Sequence, residues 1–394
     1  MRLAQSFSRL GTETAFEVLA RARALEAQGR KIVHLEIGEP DFDTPANIRD
    51  AAKKALDDGY THYGPSAGLP ETRKAIAEYM TKTRGVSYLP EETIIVPGGK
   101  PIIFFTIMAL VEPGDEVIYP NPGFPISVSM INYAGSKPVP LPIREDRDFD
   151  FDPAEFEKLL TPKTKLVILN SPANPTGGVM SPETMERVVK ALAKYPDAML
   201  LSDEIYSRIV YEGKHLSPAS APGMKERTIV LDGFSKTWAM TGWRLGYGVG
   251  PKWLIDAIAK LSTNNHSCVS AFSQIAAIEA LVGPQDSVTN MVTEFKKRRD
   301  VIVKGLNALP GVACKTPSAA FYVFPNIKGT GLTSKALADG LLAEAGVACL
   351  PGTSFGAMGE GYLRFSYANS VENIERALAA MKTALPKLSA AAAK

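Results

Sequence analysis

Short runs of consecutive apolar residues, each ending in a turn of glycine, proline or small polar side chains, constrain this chain most. TIIV at 93–96, KLVIL at 165–169, AMLL at 198–201 and TIVL at 228–231 are the clearest. A strand that is apolar on successive positions has to bury both faces. That happens where helices cover both sides of a parallel sheet. Strands are expected at 93–96, 116–119, 165–169, 199–202, 228–231 and 245–249, with helices between them at 101–111, 182–194 and 251–261. This alternation predicts an α/β domain with a mainly parallel sheet over 46–282.

After Leu281-Val-Gly-Pro284 the pattern changes. A long helix carrying Lys296-Lys-Arg-Arg299 leads to strands near 320–324, 347–350 and 362–366, and a helix over 371–388 follows. The KKRR run reads as a solvated helix face. At the other end, Ala15, Val18, Leu19, Ala22 and Leu25 recur at helical spacing and Gly29 stops the helix, with a short strand expected at 31–37. Residues 1–45 together with 283–394 are therefore expected to form a smaller α+β domain. A chain of 394 residues is long enough for two such cores.

The 44 basic and 42 acidic residues leave a net charge of only +2, too little to point to nucleic acid or an anionic membrane as partner. Cys268, Cys314 and Cys349 form no CxxC, and His34, His62, His215 and His266 have no metal-ligand spacing, so no metal is expected. Scattered thiols suit a reducing cytoplasm. The first residues do not resemble a signal peptide, and no stretch nears the ~18 consecutive apolar residues of a membrane span.

Chemistry concentrates where strands end. After TIVL come Ser235 and Lys236 in a small-residue turn, with Arg244 eight residues beyond the lysine. Ligands of open α/β sheets bind outside the carboxyl ends of strands. A lysine there becomes a nucleophile once burial or nearby positive charge keeps part of it neutral. Arg244 offers a fixed fork suited to phosphate. Asp203 directly follows another apolar strand, with Tyr206 three residues on; a carboxylate so placed either caps a helix or keeps a pyridine nitrogen protonated. Asn174 lies in NSPANPTGG after a third strand, in a loop stiffened by Pro172 and Pro175. Pro97-Gly-Gly-Lys100 joins a strand to an apolar helix, where Gly99 and the helix N-terminus favour an anion. Arg364 interrupts the apolar strand YLRFSY and needs an anion: a substrate carboxylate or an internal salt bridge. P-loop, GxGxxG and GxSxG patterns are absent.

Taken in order, GEPDFDTP, YGPSAGLPETRKAIA, SPANPTGG, SDEIYS, GFSKTWAMTGWRLGY and YLRFSYANS resemble the class I aminotransferases of the aspartate aminotransferase superfamily, over essentially the full length. The likeness is nearest the bacterial and archaeal branch of aspartate or broad-specificity enzymes. It implies fold type I, with a large domain built on a mainly parallel seven-stranded sheet. It also implies pyridoxal 5′-phosphate as cofactor, passing through pyridoxamine phosphate, in a cytoplasmic homodimer. Lys236 would carry the cofactor and shuttle the proton, Asp203 would pair with the ring nitrogen, and Asn174 and Tyr206 would bond the phenolic oxygen. Gly99, Lys100 and Arg244 would hold the phosphate, joined by Tyr63 from the neighbouring subunit; Arg364 and Gly38 would seat the α-carboxylate. Two departures stand out. Gly233 occupies a position where many relatives have serine or threonine, so Ser235 is the available hydroxyl; the ring-stacking aromatic is Phe124. Lys100 resembles a lysine that some members use for a distal substrate carboxylate. Amino acids and 2-oxo acids are the expected substrates. A carbon–sulfur β-lyase is the alternative; an aminotransferase-like regulator fits poorly, with only about 45 residues before the large domain.

Overall fold

The computed structural model describes residues 2–392. Its strands are β1 (Val33–His34), β2 (Thr93–Val96), β3 (Glu116–Asn121), β4 (Lys137–Arg144), β5 (Asp150–Phe151), β6 (Thr164–Asn170) and β7 (Met199–Asp203). They continue with β8 (Thr228–Gly233), β9 (Gly246–Val249), β10 (Tyr322–Val323), β11 (Val347–Ala348), β12 (Leu350–Pro351) and β13 (Leu363–Ser366).

Eight strands form the central sheet, in the order β2-β9-β8-β7-β6-β3-β4-β5. β8, β7, β6, β3 and β4 pair parallel, whereas β9 is antiparallel to both of its neighbours. Every residue of β2, β7 and β8 is buried, as consecutive apolar positions require. Alternate side chains feed opposite layers. Ile94, Leu166, Ile168, Leu201 and Ile229 join Ile102, Phe105 and Leu254 of the helices Lys100–Leu110 and Lys252–His266. On the other face, Val230 and Tyr247 pack with Ile76 and Ala276, while Val167 and Leu200 pack with Phe156 and Val188. Each such aliphatic side chain contributes about 1.5–3 kcal/mol.

The sheet has one strand more than expected, the two-residue β5 paired antiparallel with the end of β4. β4 itself, KPVPLPIR, carries no obvious strand signal because three prolines cannot donate to a ladder. Pro138, Pro140 and Pro142 stand at alternate positions, so all three face one edge and the other remains free to pair with β3.

Beyond the sheet, β10, β13 and β12 form an antiparallel trio and β1 pairs parallel with β11. The expected 31–37 strand is reduced to Val33–His34, and the 347–350 strand splits at Cys349, where the chain passes from β1's partner to β13's. Phe295, Phe321, Tyr322, Phe365 and Tyr367 build the core under the helices Asp286–Asn307 and Val371–Ala392. The solvated reading of KKRR holds for Lys296 and Lys297, which are exposed, and is corrected for Arg298 and Arg299, which are buried. Arg298 pairs with Asp41 and Glu294 over the Phe42 ring, and Arg299 pairs with Glu212 and Asp300. Neighbouring helix positions point about 100° apart, so four successive cations cannot share one face.

Candidate active site

Because β2, β3, β6, β7 and β8 run the same way, the turns that follow them meet at one edge of the sheet. They surround a cavity of about 460 Å³. Lys236, Ser235, Asp203, Tyr206, Asn174, Gly99, Lys100, Phe124, Arg244, Gly38 and Arg364 all line it. Tyr63 does not: its side chain lies outside this cavity and is 92% exposed.

Lys236 enters the cavity from the turn after β8, and its Nζ donates to the Gly38 carbonyl at 2.5 Å. Burial is the chief cause that lowers its pKa to about 8; Glu39 opposes it, while Arg364, Lys100 and Arg244 push the same way as burial. Burial likewise raises the Asp203 carboxyl to about 7, helped by Asp232 and Glu204. No helix begins at Asp203, which rules out the capping role; its Oδ1 accepts the Ile205 N–H at 3.2 Å.

Arg364 is buried, and no ion pair satisfies it among the described residues. Nη1 donates to Asn174 Oδ1 at 3.1 Å, Nη2 donates to the Glu36 carbonyl, and Nε has no partner. Neutral acceptors leave its charge available to an anion. Tyr206 and Tyr322 share a hydrogen bond of 2.8 Å, and the Tyr322 ring lies 4.7 Å from the Arg364 guanidinium carbon. A Cβ on Gly38 would stand 2.2 Å from Tyr322 Oη. Gly38→Ala is therefore expected to displace Tyr322 from beside Arg364 and lower kcat/KM for amino donors roughly tenfold or more through misplacement of groups that line the cavity. Steady-state kinetics with a cofactor titration would check that the loss falls on substrate.

In the turn after β2, Gly99 precedes the helix Lys100–Leu110, whose first N–H groups lack intrahelical acceptors and suit an anion. Gly98 has φ +84°, and a Cβ there would meet Arg244 Nη2 at 2.1 Å, so glycine lets the guanidinium close over this turn. Arg244 Nη1 donates to the Thr241 carbonyl at 2.8 Å. The Lys100 ammonium lies 5.7 Å from the Phe124 ring centroid and pairs with Glu13.

Glu13, Phe16, Glu39, Asn170, Thr241 and Tyr322 line the cavity without having been singled out in the sequence. Asn170 carried a signal, as the first residue of NSPANPTGG. Its Oδ1 accepts the Asn174 N–H at 2.8 Å and its Nδ2 donates to the Asp203 carbonyl at 3.2 Å, locking loop to strand. Tyr322 carried a weaker one, a hydroxyl inside an apolar strand that needs a partner. Glu13 carried none.

The aminotransferase class I and II family model matches residues 30–381. An aspartate aminotransferase of Pyrococcus abyssi is 43% identical over 364 residues, covering 91% of this chain and 93% of that protein. An aromatic-amino-acid aminotransferase of Thermococcus litoralis is 42% identical, with 91% and 93% covered. The solved aspartate aminotransferase from Thermus thermophilus with maleate superposes with a TM-score of 0.93 at 38% identity, over 98% of this chain and all of that one. The family implies pyridoxal phosphate, and the cavity suits it: a lysine of depressed pKa, a buried carboxylate with few donors, and an arginine Nε left unpartnered. Sequence match, superposition and the chemistry of the cavity agree, and the chain belongs to the class I and II aminotransferases as a transaminase of fold type I acting between amino acids and 2-oxo acids.

Proposed function

We propose that this transaminase carries pyridoxal 5′-phosphate on Lys236. Glutamate and 2-oxoglutarate form one substrate pair, and aspartate or an aromatic or aliphatic amino acid is the other donor. The presence of the Lys236 amine in one cavity with Asp203 and Arg364 carries the reading. When bound, the cofactor supplies an electron-withdrawing pyridinium that makes the Cα–H of the attached amino acid acidic. Lys236 would hold the cofactor through its amine and, once the substrate's amino group has displaced it, would as the neutral amine move the proton at Cα. Asp203 keeps the ring nitrogen protonated. Tyr206 and Asn174 bond the phenolic oxygen; Asn174 Oδ1 already accepts from Arg364, so its Nδ2–H is the atom to donate. Phe124 covers a ring face. Ser235, Arg244 and the N–H groups of Gly99 and Lys100 hold the phosphate. Arg364, in the same cavity as Gly38, would bind the substrate's α-carboxylate so that its Cα–H faces the base.

We further propose the division into 46–282 and 1–45 with 283–394, and a cytoplasmic homodimer in which the partner subunit's Tyr63 completes the phosphate site. The 92% exposure of Tyr63 supports such a partner. All three thiols are free, which suits a reducing compartment, and among the described residues no helix is long and apolar enough to cross a membrane.

A donor and acceptor panel on the purified holoenzyme tests the reading. Aspartate, glutamate and phenylalanine are expected to pass their amino groups to 2-oxoglutarate or its partner acids. Pyruvate and ammonia released from cysteine conjugates without an acceptor, and no amino transfer, would instead identify a carbon–sulfur β-lyase. Lys100→Ala is expected to lower kcat/KM for aspartate about tenfold more than for phenylalanine, through loss of a charge-assisted contact to the distal carboxylate. Equal losses for both donors would remove Lys100 from that role.

A further inference from the structure

The Lys100 ammonium, which lines the cavity, already has a carboxylate on it. Glu13 pairs with its ammonium, and both residues line the cavity. The pair is only partly shielded, with side-chain exposures of 17% for Glu13 and 46% for Lys100. Aromatic rings flank it: the ammonium lies 5.7 Å from the Phe124 centroid and 6.0 Å from that of Phe16. Glu13's backbone is pinned on both sides. Gly11 N–H donates to Ser129 Oγ at 2.9 Å and Thr14 Oγ1 donates to Ser354 Oγ at 2.6 Å. Exchange at Lys100 therefore needs rotation of one side chain rather than movement of the segment.

We infer that Glu13 is a specificity-determining residue that competes with the substrate's distal carboxylate for Lys100. This rests on the transaminase reading above. With the pair closed, this part of the cavity is neutral and flanked by the Phe16 and Phe124 rings. An aromatic or aliphatic side chain then meets no unpaired charge to desolvate. A dicarboxylic substrate replaces Glu13 on Lys100, one carboxylate for another, while Glu13 turns to water. The acid gains only the difference between two similar ion pairs, less than a free lysine would give it. One site thereby accepts both acidic and neutral side chains without rebuilding its walls.

The experiment compares kcat/KM for aspartate and phenylalanine in the holoenzyme, Glu13→Gln, Lys100→Ala and the double variant. Calorimetric titration with succinate, a dicarboxylate that cannot react, runs alongside. In Glu13→Gln the aspartate-to-phenylalanine ratio is expected to rise about five- to tenfold, the scale of losing one partly shielded competitor, and succinate to bind tighter by a similar factor. On the Lys100→Ala background the same change shifts the ratio less than about twofold, because nothing remains to compete for. Glu13→Ala should move the ratio in the same direction and guards against an effect peculiar to the amide. An unchanged or falling ratio, or an equal rise with and without Lys100, overturns the inference. If the parent protein transfers no amino group from either donor, the transaminase reading itself fails. Turnover of both donors with a Glu13→Gln ratio that stays put removes only the role of Glu13.

Discussion

Lys236→Ala is expected to reduce transamination roughly 10⁴-fold or more, the loss typical of removing a covalent and proton-transferring group together. The absorbance of covalently held cofactor should disappear with it. Among the described residues the one other lysine lining the cavity is Lys100, and it pairs with Glu13. Lys236→Arg should not rescue, because a guanidinium stays protonated and cannot act as the base. The depressed pKa makes a pH prediction. At pH 7.5 a lysine of pKa about 8 is roughly one-quarter neutral, against about one part in a thousand at the ordinary value of 10.5. The neutral amine is the nucleophile, so the rate at which apoprotein captures the cofactor rises with pH and levels off above about 8. Stopped-flow absorbance across pH 6–10 measures it; a rate still climbing in proportion beyond pH 9 would contradict a buried, charge-crowded lysine. Retained turnover in Lys236→Ala would overturn the assignment of the site.

The second large effect belongs to Asp203. Asp203→Asn keeps the shape but removes the charge that, in the proposed function, would hold the ring nitrogen protonated. A loss of roughly 10²–10³-fold in kcat is expected, the scale of deleting one preorganised electrostatic partner. Stability should move the other way. Burial raises the Asp203 pKa to about 7 from its ordinary value of 3.8, so the folded apoprotein binds more protons than the unfolded chain between these values. Its stability therefore falls as pH rises through that window, and the cost is fully developed above about 7. An asparagine carries no such cost. Apo Asp203→Asn should thus melt higher than apo parent at pH 8, and the gap should close toward pH 4. An apo Asp203→Asn that melts lower than apo parent at pH 8 would show that Asp203 serves the fold instead of the cofactor.

Much of this was legible in the chain itself. Apolar strands announce a sheet buried on both sides, and in such a sheet each strand delivers the next turn to the same edge. Asp203, Lys236 and the Gly99 turn could be placed because each directly follows a buried strand, a local property of sequence. β4 could not, because its prolines deny the usual signal while one edge of the strand still pairs. The KKRR run misled for a related reason: charge suggests water, but Asp41 and Glu212 come from distant segments to meet Arg298 and Arg299.

What sequence alone determined was the direction of the sheet and the turns at its carboxyl edge, since burial of both strand faces and strand-end position are written in consecutive residues. What only the tertiary structure decided was which distant side chains touch. Arg364 meets Asn174 across 190 positions, Tyr322 closes on Gly38, and Glu13 takes Lys100. Such pairs form because folding a long chain into one volume brings together groups whose charges and shapes satisfy one another, and no periodicity along the chain records that partnership.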